Sequence, residues 1–393
     1  MPPADEPMAE TGRVPSLPRL GRIIFWQPIP SPHQEAFLES VAEQFPGEVI
    51  LGVERDLPFD RIAQGWRTPE FHRVRLVDIS DPVNHAALAR HGSPESLHVF
   101  TGFFSHPLVW SGFHKLKSSQ ARLAIYSEAP EQPWHTGWLK RLRGRWLAAR
   151  YAKRFAFVLA VGGVGGEFFE TIGFPKKKII PFGYFLPAPS ETADTSITPA
   201  DGLRFVYCGQ LIHRKGIDIL ADALGGLPAV GWRLDAFGAG PLREILEQPS
   251  LRGRVFVHDV VSNDQIEEKL IGADWTVLPS RFDGWGMLVS ESLRAGVPVI
   301  CSDACGAAAM LGDSPAAKFF RSGRSADLAL LLRAAIESGK TSADVRESAR
   351  SVARRFGADN AAAVFLLAAN GGGTSGHASS LPWMPFEAAH GRG

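Results

Sequence analysis

The chain has 393 residues, more than one hydrophobic core usually supports, so two domains of roughly 150–200 residues each are expected. With 42 Lys and Arg against 41 Asp and Glu it carries a formal net charge of +1, which excludes recruitment of nucleic acid by overall charge, and 45% hydrophobic residues exclude a disordered chain. Cys208, Cys301 and Cys305 are too few, and odd in number, for a disulfide framework; with no His or further Cys beside the last two, thiols of a core or loop in a reducing compartment are expected, and no metal site.

The opening segment MPPADEPMAETG has neither the basic start nor the apolar run of a secretory signal. No stretch approaches the roughly 18–20 apolar residues of a membrane span, so the expected location is cytoplasmic. Residues 1–20, rich in Pro and acidic residues, and residues 369–393, rich in Gly and Ser, are expected to be disordered. A first domain is expected over residues 21–186. It opens with the apolar run RIIFW at 22–26, followed by a helix from about residue 34, and it closes with FAFVLAV at 155–161 and the segment after it. Short apolar runs alternating with stretches of helical period predict β-α-β units and parallel sheets.

Within this half, residues 136–155 (TGWLKRLRGRWLAARYAKRF) hold Lys140, Arg141, Arg143, Arg145, Arg150, Lys153 and Arg154 and no acidic residue. Trp138, Leu142, Trp146, Leu147 and Tyr151 recur at about helical spacing, which gives one apolar, aromatic flank among cationic ones. Two readings follow. The helix lies on an anionic membrane surface, or it is a domain helix whose aromatic face is core.

A Pro-rich stretch at 187–202, PAPSETADTSITPADG, is the expected linker. Over the second domain, expected at 203–368, the runs RFVYCG, WRLDAFG, VFVHDV, WTVLPS and VPVICS alternate with spacers of helix length, the pattern of a doubly wound sheet. Ligands of such sheets bind outside the carboxyl ends of the strands, so the loops after 208, 237, 257, 279 and 301 should converge on one cleft.

Those loops carry the chemistry. In CGQLIHRKGIDIL, Arg214 and Lys215 precede a helix opened by Gly216, where backbone N–H groups and the helix dipole already favour an anion. FGAGPLREIL places Gly238 and Gly240 between a strand and a proline-started helix. In PSRFDGWGMLVSESLRAGVPVI, Asp283 follows a strand and Glu291 lies eight positions on, in a helix, so two carboxylates face one cleft. Gly284 and Gly286 between them let backbone N–H groups approach phosphate or sugar oxygens. Glu291 can accept from adjacent ribose hydroxyls and Asp283 from hydroxyls of a transferred sugar.

This order of motifs over residues 203–303 resembles the C-terminal domain of the group 1, or family-four, retaining glycosyltransferases of the GT-B fold. The segment FVLAVGGVGGEFFETIGFPKKKIIPFGYF at 157–185 resembles the one by which that family leaves its N-terminal domain. The resemblance implies an α/β protein of two Rossmann-like domains facing a central cleft. It implies transfer of a sugar, with retention, from a nucleoside diphosphate-sugar to a glycan or lipid-linked acceptor in surface polysaccharide or glycolipid assembly. No metal or other cofactor is expected, in line with the absence of a D-x-D pair. Lys215 then matches the phosphate-binding lysine and Glu291 the ribose-binding glutamate, while Arg214, Gly238, Asp283, Gly284, Trp285, Gly286 and Met287 complete the donor wall. Lys215, Asp283 and Glu128 are expected to carry the chemistry.

The pattern departs from the family in places. Gln210 stands where an Arg is common, so a second phosphate cation is missing unless Arg214 supplies it, and Asp283 is one methylene shorter than the usual Glu. In RLAIYSEAP at 122–130, Glu128 stands where the family often has a His; it orients the acceptor or stabilises a cation-like sugar, or it caps a helix. His33, in WQPIPSPHQEAF, touches acceptor or phosphate or starts a helix, and His106, in TGFFSHPLVW, is a further acceptor-side candidate. Expected partners are the donor, the acceptor and an anionic membrane at its inner face through residues 136–155, with no nucleic acid. Two other functions stay open: a degenerate sugar-nucleotide binding protein, and a GT-B sugar-nucleotide epimerase or hydrolase.

Overall fold

The computed structural model of the chain describes residues 19–102, 105–130, 137–189, 202–371 and 381–384. Residues 1–18, most of the expected linker and most of the Gly- and Ser-rich tail lie outside these. The first sheet comprises β1 (Arg22–Gln27), β2 (Glu48–Val53), β3 (Arg75–Asp78), β4 (Ser96–Phe100), β5 (Arg122–Glu128), β6 (Phe157–Val161) and β7 (Ile179–Phe182). Its order is β3-β2-β1-β4-β5-β6-β7, and every pair is parallel. The second comprises β8 (Leu203–Cys208), β9 (Trp232–Phe237), β10 (Val255–His258), β11 (Trp275–Leu278), β12 (Val299–Ser302) and β13 (Ala317–Phe320), in the order β10-β9-β8-β11-β12-β13. Both are doubly wound, as the alternating runs predict. Central strands such as β1 and β8 are buried on both faces, which is why they read as continuous apolar runs, whereas the edge strand β3 is largely exposed.

Strand order reverses between β1 and β4 in one sheet and between β8 and β11 in the other, and at such points the loops diverge and leave a crevice. The two crevices face each other. The domains also touch directly, where the Gly163 N–H donates to the Gly306 carbonyl at 2.9 Å.

Two parts of the expected domain plan are corrected. The last helix, Ala358–Ala369, falls inside the range assigned to the second domain, yet it packs on the first. Its Phe365 ring stacks within 5.6 Å of both Phe25 and Phe37, Ser40 Oγ donates to Asp359 Oδ1 at 2.7 Å, and Arg122 caps its C-terminal end through the Ala369 carbonyl at 2.7 Å. The chain therefore crosses between domains twice, and the crossings lie side by side at Leu186 and Gly357. Within the tail expected to be disordered, Leu381 and Trp383 are buried, and the Trp383 indole N–H donates to the Pro181 carbonyl at 3.2 Å. An aromatic side chain removes enough apolar surface from water to hold such a segment in place.

The basic stretch forms the helix Gly137–Tyr151. Its apolar residues divide between two faces. Leu147 and Ala148 are buried, while Trp138, Leu142 and Trp146, each four residues from the next, are 59–62% exposed. Arg154 is not a surface cation: it donates to the carbonyls of Lys117, Ser119 and Ala121 at 2.7–2.9 Å. Among the described residues no helix is long and apolar enough to cross a membrane.

Candidate active site

A cleft of about 390 Å³ lies between the two switch points, large enough for a small-molecule ligand. From the second domain it is bordered by the loops after β8, β9, β10 and β11, and from the first by His33, Arg61, Trp66, Glu128 and Tyr184. The loop after β12 does not reach the cavity; it backs the loop after β11, where the Asp283 N–H donates to Ala304 O at 3.1 Å.

The loops after β8 and β11 are fastened together. The Arg281 guanidinium grips both oxygens of Asp218 at 2.6 and 2.7 Å, and its backbone N–H donates to the Arg214 carbonyl at 2.8 Å. Gly216 has φ +71°, and a Cβ there would sit 1.9 Å from the Pro279 carbonyl oxygen, so only glycine lets the loops meet. Held in this way, Lys215 donates to Asp283 Oδ2 at 2.5 Å. Arg214 donates to the Phe282 carbonyl at 3.2 Å and to Gln210 Oε1 at 3.4 Å. Gln210 is thus a partner of Arg214.

Glu128 is the last residue of β5, well ahead of the next helix, so it is a strand-end carboxylate and not a helix cap. It packs on the Gly284 backbone so closely that a Cβ on that glycine would lie 2.2 Å from Glu128 Oε2. Burial raises its pKa; a hydrogen bond with Tyr184 opposes the shift and the nearby Asp283 adds to it. Glu291 lies one turn inside the helix Met287–Arg294, whose N-terminus at Gly286 and Met287 borders the cleft. Burial pushes the Glu291 pKa up to about 8, and among the described residues its carboxylate has no hydrogen-bond partner. A carboxylate so placed is suited to accept from a ligand's hydroxyls.

His33 is the second residue of the helix Pro32–Gln44, as the helix-start reading has it, and it also borders the cleft. Its ring meets Trp66 edge to face at 4.5 Å, and burial lowers its pKa to about 4. The imidazole is neutral at physiological pH. Gly238, Gly284, Gly286 and Met287 also border the cleft, while Gly240 does not.

Two candidates are placed otherwise. Trp285 borders the cleft, but its indole is 1% exposed, donates to Ser290 Oγ at 2.9 Å, and packs with Phe185 and Phe356 over Gly183 at the double crossing. It is a wedge between domains, because no hydrophobic ring of that size is left at a loop tip when an interface can cover it. His106 stands at the N-cap position of the helix Pro107–Leu116 without a capping side-chain hydrogen bond, outside the cavity and 3.9 Å from Glu54. Arg61, Trp66, Tyr184 and Asn263 border the cleft without having been singled out in the sequence; Tyr184 and Asn263 sit in segments that the resemblance covers, whereas Arg61 and Trp66 do not. The three cysteines are buried and free, and Cys305 Sγ lies 3.0 Å from the Trp285 carbonyl, beneath the Asp283 loop.

Against this geometry, residues 191–352 match the family model described as glycosyl transferases group 1. This segment is similar to the group 1 glycosyltransferases. Similar proteins include a D-inositol 3-phosphate glycosyltransferase of Xylanimonas cellulosilytica, 28% identical over 194 residues, which are 46% of each chain. They also include a GDP-mannose-dependent α-(1-6)-phosphatidylinositol dimannoside mannosyltransferase of Mycobacterium tuberculosis, 28% identical over 185 residues, 42% of this chain and 48% of that one. The chain spans about half the length, or less, of the curated relatives it matches. Among solved structures, Anabaena HepE in complex with UDP superposes with a TM-score of 0.67 at 17% identity, covering 88% of this chain and 99% of that one. Two parallel, doubly wound sheets together with this likeness make the fold GT-B.

Proposed function

We propose that this protein is a retaining glycosyltransferase that moves a sugar from a nucleoside diphosphate-sugar to a glycan or lipid-linked acceptor. The reading rests on one observation: Lys215, Asp283, Glu128 and Glu291 converge on a single cleft between the domains. The UDP in the HepE structure and the glycosyltransferase names of the relatives support it. Arg214, Lys215 and the helix N-terminus at Gly286 meet the charge that grows on the leaving diphosphate, so the proposed chemistry needs no metal ion. Glu291 accepts from the ribose hydroxyls. Asp283, which holds Lys215 in place, accepts from the sugar, and Glu128 stands on the acceptor side, where it stabilises the cation-like sugar or orients the attacking hydroxyl.

The exposed row Trp138, Leu142 and Trp146, flanked by Arg141, Arg143, Arg145 and Arg150, supports docking of the first domain on the anionic inner face of a membrane, where a lipid-linked acceptor resides. Incubation with UDP-, GDP- and ADP-sugars and lipid-linked acceptors, with and without EDTA, should release nucleotide and yield a product of unchanged anomeric configuration by NMR. Binding without turnover on any acceptor would support the degenerate reading instead. Flotation with anionic liposomes at low salt checks the docking surface, and a protein that stays at the bottom of the gradient refutes it.

A further inference from the structure

We propose that Arg61, on a first-domain loop that straps the cleft, is a phosphate ligand that binds the donor diphosphate from the wall opposite Lys215. The inference rests on the reading of the cleft as a nucleoside diphosphate-sugar site, and it adds a binding residue from the other domain.

The strap begins in the short helix Phe59–Ile62 and runs to the second domain. There the Asn263 N–H donates to the Gly65 carbonyl at 2.9 Å, and the Gly65 backbone packs so tightly that a Cβ would lie 2.2 Å from the Val261 carbonyl oxygen. The inner side of this strap, at Arg61 and Trp66, borders the same cleft as Arg214 and Lys215. The Arg61 guanidinium lies over the Trp66 ring, 4.9 Å from its centroid, and that ring meets His33 in turn. Stacking therefore fixes where the guanidinium sits. His33, which borders the same cleft, feels the charges of Arg61, Lys215 and Asp283.

The second-domain cations are already engaged. Lys215 is paired with Asp283, and Arg214 with the Phe282 carbonyl and Gln210. Arg61 is engaged far less. Its hydrogen bond among the described residues is a long one, 3.4 Å to Gln64 Oε1 of its own loop. A guanidinium carries five N–H donors in a fixed fork that matches phosphate oxygens, and one that is half-buried, stacked and so little used is suited to an anion. A diphosphate held by Lys215 on one wall and Arg61 on the other would have its growing charge met from both domains.

The test is calorimetric titration of UDP, GDP and ADP, and of the corresponding nucleosides, into full-length wild type, Arg61→Ala and Arg61→Lys, with circular dichroism to confirm folding. The expected result is a nucleoside diphosphate Kd raised about 10- to 100-fold in Arg61→Ala, the span of a charge-assisted hydrogen bond, and partly restored in Arg61→Lys. The nucleoside Kd should be the same in all three proteins. Wild-type diphosphate affinity in Arg61→Ala overturns the inference and leaves the proposed function standing. An equal loss for the nucleosides also overturns it, because Arg61 would then act by shaping the strap. If wild type binds none of the nucleoside diphosphates, the proposed function fails and the inference fails with it.

Discussion

The two walls of the cleft are built by different means. On the second-domain wall the polar groups are tied to one another before any ligand arrives: Arg281 to Asp218, Lys215 to Asp283, Arg214 to Gln210. On the first-domain wall, His33, Trp66 and Arg61 hold one another by ring packing, and among the described residues Glu128 is the one carboxylate, hydrogen-bonded by Tyr184. A network of charge-assisted bonds fixes geometry to a fraction of an ångström, which suits a constant ligand part such as a diphosphate. A packed aromatic wall offers shape and apolar contact, which suits a variable part such as an acceptor, with Arg61 as the one group on it that the proposed diphosphate contact would use.

That contrast can be broken most forcefully at Lys215. Lys215→Ala removes the centre of the second-domain network, and turnover should fall about 100- to 1,000-fold with the fold intact by circular dichroism. Turnover close to wild type would mean that the paired wall is only structural. Glu128→Gln probes the other wall; kcat should fall about 100-fold while the donor KM stays near wild type if, as proposed, Glu128 acts on the reacting sugar and not on the nucleotide. A rise in donor KM with unchanged kcat would move Glu128 to the donor side.

Glu291 sharpens the comparison through pH. Its pKa is raised to about 8, so between about pH 4.5 and 8 the folded state binds more protons than the unfolded one, and stability falls as pH rises through that window. Glu291→Gln should remove this slope and melt higher than wild type at pH 8. The ionised carboxylate is the better acceptor of ribose hydroxyls, so donor affinity of wild type should increase from pH 6 to pH 8, whereas Glu291→Gln should bind about 10-fold more weakly with a flat profile. Parallel profiles for the two proteins would separate Glu291 from the ligand. The smallest effect belongs to His106→Ala, where activity should stay within about 2-fold because the ring lies outside the cavity.

The same contrast explains what could be read in the sequence. Strands β8, β9, β11 and β12 are buried runs separated by helix-length spacers, and the loops after β8 and β11 carry paired charges at fixed spacing, so most of the second-domain wall was legible. Strand β13, AKFF, was not: it is a short edge strand with two of its four residues exposed, and it lacks the apolar run that marks a buried strand. On the first-domain wall the side chains come from a strap and a helix start whose only local pattern is turn chemistry, so Arg61 and Trp66 carried no signal. Trp285 does border the cleft, but motif spacing locates a backbone position and not the direction in which an indole packs. The helix Ala358–Ala369 was misplaced for a related reason, since its partners Phe25, Phe37 and Phe157 lie more than 200 residues earlier in the chain.

The most direct test of the account is the calorimetric titration of UDP-, GDP- and ADP-sugars into wild type and Lys215→Ala. The account predicts that at least one donor binds wild type and loses affinity about 10-fold or more in the variant. Absence of binding by any donor, or equal affinity in the two proteins, would contradict it.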